Sequence, residues 1–330
     1  MRAVYAAQHG AGRARADQPP SARRGALKRC WPAIKMAGMR AVPFSWCQRV
    51  AGVLALAVLV ACAAPPRQVA VAPTAQALAA AMNGHAVVLL GEVHDNAAQH
   101  RLRLAALQER FAQGWRPALA FEQFDADRQA DLERARRERP HDADYLIDHA
   151  VADRRGWDWD YYRPFVQWAL DEDLPIVAAN LGRAQAMRVA REGYGAVFDA
   201  ATQARLGLDH LDPALLAVQR EDIEVGHCNT LPAKAIDPMV RAQIARDITL
   251  ANALRPYVSR GVVLLTGNGH VRRDAGVPRW LSDLPAGTVT AIGLLEEDPD
   301  ADPAALAAQF DAMTFTARAD REDPCATLKR

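Results

Sequence analysis

Three features that would mark particular classes of protein are missing from this 330-residue chain. No apolar run reaches the roughly 20 residues of a membrane-spanning helix, and no G-x-S-x-G serine elbow occurs, which argues against covalent serine catalysis. The body of the chain also lacks a basic surplus. Met1 to Ala61 carries ten basic residues against the single Asp17, which leaves thirty basic and thirty-eight acidic residues from Cys62 onward. This acidic body offers no basic face for phosphates, so a nucleic-acid role is not expected.

The N-terminal region has the pattern of an export signal. Arg40 and Arg49 precede the apolar run Val50 to Ala61, which is too short to span a bilayer and is typical of a signal-peptide core. The run ends in Leu-Val-Ala followed by Cys62, which resembles the lipobox of bacterial lipoproteins. We therefore expect Cys62 to be the lipidated mature N-terminus, carrying palmitate or a similar chain. The alternative is a plain signal peptide with a chance cysteine.

The chain divides into four predicted segments. Residues 1–38 are a basic leader that either belongs to the protein or lies upstream of its true start, and residues 39–61 are the signal peptide. Residues 62–74 are rich in Pro and Ala and form a tether between lipid and folded body. Residues 75–330 form the folded domain, which includes a helical excursion at about residues 206–238.

Cysteine usage leaves two open alternatives. Cys30 and Cys47 leave with the leader, and Cys62 is acylated. Cys228 and Cys325 then remain in an oxidising compartment, where one disulfide between them is expected. The other interpretation keeps Cys228 free as a ligand beside His227.

An α/β fold follows from the pattern of apolar runs, since half of the residues are hydrophobic and a large core is available. Short runs rich in Val, Leu and Ile are typical of strands buried on both faces of a parallel sheet. They alternate with helical segments, which predicts a central, mainly parallel sheet flanked by helices with a smaller helical subdomain. The predicted strands are Ala86–Leu90, Pro117–Phe121, Pro175–Ala179 and Gly261–Thr266, and the predicted helices are Ala97–Ala112, Asp125–Arg139, Arg163–Asp171 and Pro238–Val258.

Polar side chains follow all four predicted strands. In parallel sheets the ligand site lies at the carboxyl ends of the strands, so we expect these groups to meet at one edge. Two of the strands are the same string, VVLL, and each leads into a glycine and then a histidine. The groups that follow the strands are Glu92 and His94, then Glu122, then Asn180 and Arg183, then Asn268 and His270.

Glu92 and His94 are two residues apart, and in an extended segment such residues point the same way. Together with His270 they form a set of carboxylate and imidazole groups that suits a divalent metal such as Zn or Mn. A hydrogen-bonded structural role is the alternative for each histidine. Asp247 lies on the apolar stripe of its predicted helix, where a carboxylate must be paired, metal-bound or protonated. A salt bridge with Arg246 or another arginine is the simplest expectation.

An aromatic cluster stands out in a chain that is only 6% aromatic. The segment Gly156 to Leu170 contains three Trp, two Tyr and one Phe. The cluster is either an aromatic core or a surface on which a flat apolar ligand stacks, with a tyrosine oxygen able to bind ferric iron. Because Pro fits the first turn of a helix, Pro164 predicts that this helix begins near Arg163.

These motifs together resemble the ChaN-like haem-binding lipoproteins, a family placed with the Tiki, TraB and erythromycin esterase proteins in one superfamily. The resemblance covers roughly Ala79 to Leu295. It rests on the strings GEVHDN, FEQFD, WDYYRPF, LPIVAANLGR, RDITLANAL and LLTGNGHVRRDAGVPRWL.

The resemblance implies a lipid-anchored protein of the bacterial outer membrane, on its periplasmic or surface face, that binds haem and serves iron uptake. It also implies tyrosine ligation of the haem iron, a homodimer that encloses the porphyrins and a haem uptake receptor as partner. Tyr162 is the preferred iron ligand on this basis, with Tyr161 as its competitor. Arg163, Arg183 and His227 are the candidate propionate partners.

The wider superfamily implies an alternative function, a metal-dependent protease or esterase. In that case Glu92, His94, Glu122 and His270 would bind a metal or activate a water, with Arg246 and Asp247 orienting the site. Haem binding depends on the aromatic segment, whereas hydrolysis depends on the two glycine and histidine motifs.

Overall fold

A seven-stranded sheet forms the centre of the fold in the computed structural model, which describes residues 69–70, 72–323 and 325–326. All neighbouring strands run parallel, in the spatial order β1-β7-β6-β2-β5-β3-β4. The α/β prediction with a parallel sheet is therefore confirmed. The strands are β1 Val69–Ala70, β2 Val87–Leu90, β3 Ala118–Asp125, β4 Ile176–Asn180, β5 Val262–Leu265, β6 Val289–Glu296 and β7 Ala312–Thr316.

Helices connect the strands and cover both faces of the sheet. They are α1 Ala75–Ala81, α2 Ala97–Ala112, α3 Gln129–Glu138, α4 Ala143–Ala150, α5 Trp159–Asp171, α6 Arg183–Glu192, α7 Ala200–Leu206, α8 Pro213–Gly226, α9 Ala233–Leu254, α10 Asn268–Val271 and α11 Pro303–Gln309. Among the residues described, no helix is long and apolar enough to cross a membrane.

The two VVLL strings pair with each other. β2 and β5 are parallel neighbours in register, so that Val87 lies opposite Val262 and Leu90 opposite Leu265. All eight residues are buried. This register brings the glycine and histidine motifs that follow the two strings to the same point of the sheet edge.

Alternate residues of each strand supply two separate apolar layers, as the period of two in a strand requires. Val88 and Leu90 pack with α1 to α5 on one face, whereas Val87 and Leu89 pack with α9 on the other. A third apolar cluster joins α6, α8 and α9 beyond the sheet. It forms the smaller helical subdomain, and its α8 ends at Gly226 before α9 begins at Ala233.

The start of α5 differs from the prediction, because the helix begins at Trp159 and Pro164 lies inside it. Asp158 caps the earlier start by accepting a hydrogen bond from the Asp160 amide at 3.2 Å. Burial of Trp159, Tyr162 and Phe165 on one face stabilises the first turn. The proline therefore does not set the helix start.

Other predicted bounds were also wrong by several residues. β3 continues through Glu122 to Asp125, and a short 3₁₀ turn separates it from α3. α9 begins at Ala233 and ends at Leu254. β1, β6 and β7 were not predicted, and β1 lies within the predicted tether and pairs with β7. The predicted basic leader, the predicted signal peptide, the predicted lipidation site Cys62 and most of the predicted tether lie outside the described residues.

Candidate functional site

Carboxylates and imidazoles gather at the carboxyl edge of the sheet, as predicted. β2, β5 and β3 are neighbours in that order, so Glu92 and His94, the segment Gly267 to His270, and Glu122 meet there. The backbone amide of Asn268 donates to the carbonyl oxygen of Glu92 at 2.9 Å, which ties the two motifs together directly.

Glu92 is the centre of the first polar cluster and is 2% exposed. Its Oε1 accepts a hydrogen bond from the Tyr162 hydroxyl at 2.6 Å and lies 2.9 Å from Nδ1 of His94. Its Oε2 pairs with the guanidinium of Arg103, and Nδ1 of His100 lies 3.2 Å away. Both carboxylate oxygens are therefore engaged by partners within the chain.

Arg103 balances the buried charge of Glu92 and is itself fully buried. It also donates from Nη1 to the Leu90 carbonyl at 3.1 Å. Burial lowers the pKa of Arg103 to about 10, which still leaves it charged at neutral pH. The pair fixes Glu92 beneath His94.

His94 is the partly exposed member of this cluster, with 28% of its side chain accessible. Burial lowers the pKa of His94, against the opposing attraction of Glu122, so the ring is neutral at pH 7. A carboxylate can only accept, so the proton resides on Nδ1, which faces Glu92, and Nε2 carries the lone pair. His94 thus offers a basic nitrogen at the edge of the sheet.

The second polar cluster places His270 between two carboxylates. Its Nδ1 donates to Oδ1 of Asp247 at 2.6 Å, and its Nε2 lies 3.5 Å from Oε1 of Glu122. Glu122 is held in turn by the Thr266 hydroxyl at 2.6 Å and the Gly267 amide at 2.9 Å. The expectation that Asp247 pairs with an arginine was wrong, since its close partner is His270.

The charges in this cluster depend on one another. Burial alone would lower the pKa of His270, but Glu122 and Asp247 raise it to about 10. Burial would raise the pKa of Glu122, yet His270 and His94 hold it well below its usual range. Burial raises the pKa of Asp247 to about 6, in spite of the attraction of His270. At neutral pH an imidazolium therefore lies between two carboxylates.

This arrangement predicts a loss of stability at alkaline pH. The pKa of His270 rises from an ordinary 6.5 to about 10 in the folded protein. Its stabilisation is thus complete below about pH 6.5 and is lost as the pH rises through about 10. We expect the free energy of unfolding in urea to fall by a few kcal/mol between pH 7 and 10. His270→Gln should lack this slope, and an equal slope in both proteins would contradict the assignment.

Two glycines let the motifs interlock. A Cβ on Gly91 would lie 2.3 Å from Oδ1 of Asn268, and a Cβ on Gly267 would lie 2.8 Å from Cε1 of His94. Each glycine therefore makes room for a side chain of the other motif. Asn268 has no freedom to retreat, because its side chain donates to the Leu294 carbonyl at 2.6 Å and accepts from the Leu294 amide at 3.2 Å.

Gly91→Ala is therefore expected to destabilise the protein by about 2 kcal/mol through overpacking against Asn268. Urea unfolding at pH 7 measures the difference. Gly226→Ala is the matched control, because nothing lies within 4 Å of its added methyl, and it should change stability by less than about 0.5 kcal/mol. Equal effects of the two substitutions would argue against the interlock.

An aromatic wall borders His94. The ring of Trp157 meets the His94 ring edge-on at 4.9 Å between centroids. Tyr161 stacks on His100 at 4.6 Å with an interplanar angle of 7°, and its hydroxyl lies 3.5 Å from the Asp95 carbonyl oxygen. Both Trp157 and Tyr161 are only partly buried.

The two tyrosines differ in burial and in their hydrogen-bond partners. Tyr162 is 1% exposed and its hydroxyl donates to Glu92. Burial raises the pKa of Tyr162, although Arg103 acts in the opposite direction. Tyr162 as arranged here is a structural member of the Glu92 cluster, and Tyr161 is the less buried of the two tyrosines.

The predicted propionate partners are not brought together. Arg163 pairs with Asp144 at 2.8 Å, and Arg183 is exposed at the start of α6. His227 lies at the end of α8, with its Nδ1 2.7 Å from the Ile223 carbonyl oxygen. Charge and neighbourhood in the sequence did not indicate where these side chains would lie.

The predicted metal ligands Glu92, His94 and His270 do not form a metal centre. Nowhere in residues 69–70, 72–323 and 325–326 do three His, Cys, Asp or Glu side chains group to hold a metal ion. The reason is that Arg103 supplies the positive charge at Glu92, while His270 is bound between Glu122 and Asp247. The divalent metal expected from the sequence is not supported.

The two candidate cysteines, Cys228 and Cys325, are joined by a disulfide. It links the end of α8 to the segment that follows β7, across 97 residues of sequence. Cys228 is therefore not a free ligand beside His227.

Sequence reasoning missed Arg103 and His100, which lie in the interior of α2 and look like ordinary surface residues. The signal that could have found them is helical spacing. His100 lies three residues before Arg103, and Arg103 lies three and four residues before the buried Ala106 and Leu107. All four therefore share one face of α2.

Fold and site together define an α/β protein with a polar and aromatic site at the carboxyl edge of a parallel sheet. Residues 78–281 match the family described as haem-binding uptake, Tiki superfamily, ChaN. This match spans more than half of the 330 residues, so the chain belongs to that family. The resemblance predicted from the motifs is confirmed.

The chain shares its fold with a solved structure and has weaker likenesses to others. The chain is similar to ChaN of Campylobacter jejuni, described as binding heme cofacially, with 20% identity and a TM-score of 0.57 over 71% of this chain and 88% of that chain. A succinoglycan biosynthesis protein matches with 12% identity and a TM-score of 0.39, over 66% of this chain and 68% of that chain. An erythromycin esterase in its open conformation matches with 12% identity and a TM-score of 0.38, over 66% and 72%. No curated protein sequence matches significantly.

Proposed function

We propose that this protein binds haem as cargo on the wall formed by Trp157, Tyr161 and His94. Membership of the haem-binding uptake family supports this. So does the chemistry of the wall, where two partly buried aromatic rings and a neutral imidazole border one edge of the sheet. A porphyrin is flat and apolar and suits such a surface.

The observation that carries the proposal is that Tyr161 is only partly buried, whereas Tyr162 is 1% exposed. Its hydroxyl has one weak contact, at 3.5 Å to the Asp95 carbonyl oxygen. A phenol oxygen is an axial ligand of ferric haem, and that of Tyr161 is available. The Tyr162 oxygen is committed to Glu92 at 2.6 Å. We therefore assign Tyr161 as the iron ligand and reverse the order of preference drawn from the sequence.

An open wall leaves one face of the porphyrin to be covered from outside. Two clefts of about 500 Å³ lie away from this wall, one beside Leu181 and Phe198 and the other beside Arg279 and Leu284, so neither encloses a porphyrin on the wall. A second copy of the chain is the proposed cover, which would make the haem-loaded protein a homodimer.

The cellular role belongs to the same proposal. The lipobox at Leu59 to Cys62 supports a lipid anchor in the outer membrane, on its periplasmic or surface face. The disulfide between Cys228 and Cys325 fits an oxidising compartment. In that place the protein would pass haem to or from an uptake receptor and serve iron acquisition.

Haemin titration with light scattering tests the proposal. The chain from Ala63 onward should show a saturable Soret shift, with a particle mass that doubles as haemin is added. A titration curve identical to that of free haemin would reject haem binding. Saturation without a change in mass would reject the dimer alone.

One observation favours a second candidate, hydrolysis without a bound metal. The partly exposed side chain of His94 is close enough to Glu122 and His270 for their charges to shift its pKa, and Glu122 and Asp247 hold His270 as a cation. A neutral imidazole next to such a cation has the elements of general acid and base catalysis. The deciding comparison is esterase and peptidase activity of the wild type and of Glu122→Gln, assayed with and without chelator. Activity that survives chelator and is lost in Glu122→Gln would establish this function.

A further inference from the structure

The segment that follows β7 crosses the carboxyl edge of the sheet, and we call its residues Ala317 to Asp323 the strap. The Ala317 carbonyl accepts a hydrogen bond from Nδ2 of Asn96 at 3.0 Å, and the Ala319 amide donates to Oε1 of Glu296 at 2.9 Å. Arg321 bridges Asp95 and Glu296. The strap therefore lies against the loop that carries His94.

Asn96 couples the strap to the start of α2. Its Oδ1 accepts from the amides of Ala98 and Gln99 and caps that helix, while its Nδ2 donates to Glu296 and to the strap. A displacement of the strap consequently removes one hydrogen-bond partner of the buried Asn96, which positions the loop after β2.

Asp95 is held from two sides. The Tyr161 hydroxyl lies 3.5 Å from its carbonyl oxygen, and Nη1 of Arg321 donates to its Oδ1 at 3.1 Å. The aromatic wall and the strap thus lie on either side of the loop that presents His94. The Arg321 to Asp95 pair is weak, because the Asp95 side chain is half exposed.

The disulfide is the covalent attachment of this segment. Beyond the strap, Cys325 is bonded to Cys228 at the end of α8, in the helical subdomain. Neither cysteine is fully buried. This one covalent bond therefore links the helical subdomain to the segment that crosses the sheet edge beside the loop that carries His94.

We propose that the Cys228–Cys325 disulfide is a thiol-exchange site that controls access to His94 by fixing the strap against the loop after β2. The reaction partner is a dithiol protein of the thiol–disulfide oxidoreductase class. Its thiolate attacks one sulfur, the bond between Cys228 and Cys325 breaks, and a mixed disulfide forms. Its second thiol then displaces the released cysteine. Cys228 and Cys325 gain two electrons and two protons, and the partner becomes a disulfide.

Reduction frees the Cys325 end of this segment. The strap is then held by the Arg321–Glu296 pair, whose side chains are 17% and 6% exposed, and by the weaker contacts to Asn96 and Asp95. We expect those weaker contacts to open first, which frees the loop that carries His94. The proposal concerns access to His94 and does not depend on what ligand is bound there. Its test therefore uses a small reagent in place of haemin.

The experiment measures carbethoxylation of His94 by diethyl pyrocarbonate, read by mass spectrometry on the full chain at pH 7. The wild type is compared before and after dithiothreitol, with free thiols counted by alkylation, and alongside Cys325→Ser. We expect His94 to react about fivefold faster in the reduced protein and in Cys325→Ser, as for partial opening of the loop. Arg321→Gln should give a smaller increase with the disulfide intact.

Two internal controls make the result decisive. His141 is 73% exposed and should react at the same rate throughout. The amides of β5 should keep their protection from hydrogen exchange, which excludes a general loosening of the fold. An unchanged rate at His94 in fully reduced protein would overturn the proposal, and so would a faster rate accompanied by loss of β5 protection.

Discussion

Arg103→Met should lower the free energy of unfolding by about 3 to 5 kcal/mol, because it leaves the carboxylate of Glu92 buried without its cationic partner. Both side chains are fully buried, so water cannot replace the lost interaction. In a domain of this size the midpoint of thermal unfolding should fall by roughly 10 °C. Urea and thermal unfolding at pH 7 provide the two measurements.

Two further variants show whether the effect belongs to the pair. Arg101→Met changes an exposed arginine of the same helix and should cost less than about 0.5 kcal/mol. Glu92→Gln combined with Arg103→Met should recover part of the loss, since it removes the unpaired charge. A loss in the double variant equal to the sum of the two single losses would show that the two residues do not interact.

Tyr161→Phe should weaken haemin binding roughly 100-fold, equivalent to about 2.7 kcal/mol. The substitution removes the phenol oxygen that we assign to the iron, and it keeps the ring that stacks on His100 at 4.6 Å. The loss should therefore appear in affinity with little change in the stability of the unliganded protein.

Tyr162→Phe is the matched comparison, one residue along the same helix. It removes a hydrogen bond of 2.6 Å to the buried Glu92 and should lower stability by about 1 to 3 kcal/mol. Its haemin affinity should stay close to that of the wild type. The reverse pattern, with affinity lost in Tyr162→Phe and kept in Tyr161→Phe, would return the ligand role to Tyr162.

The part of the fold that could be predicted is the part that repeats a simple pattern. Continuous apolar runs such as VVLL are typical of strands buried on both faces, and the two copies do pair in register. The carboxyl-edge rule for parallel sheets then placed Glu92, His94, Glu122 and His270 together. β6 was missed although it is a largely buried strand of eight residues, because Thr290, Ala291 and Gly293 interrupt its run of Val, Leu and Ile.

The partners of the charged side chains within the site could not be predicted, because residues that are close in the fold lie far apart in the sequence. Asp247 was recognised as a buried carboxylate from its helical stripe, but its partner His270 lies 23 residues away in another element. Arg103 was missed because an arginine inside a helix is usually solvated. The division between Tyr161 and Tyr162 depends on the start of α5, and the Asp158 cap outweighed the preference of Pro164 for a first turn.

The visible absorption spectrum of the haemin-loaded protein tests the central claim most directly. We predict a ferric tyrosinate spectrum with its charge-transfer band, present in the wild type and in Tyr162→Phe and absent in Tyr161→Phe. A spectrum typical of histidine ligation would contradict the assignment of Tyr161. The spectrum of free haemin, unchanged by the wild-type protein, would contradict haem binding itself.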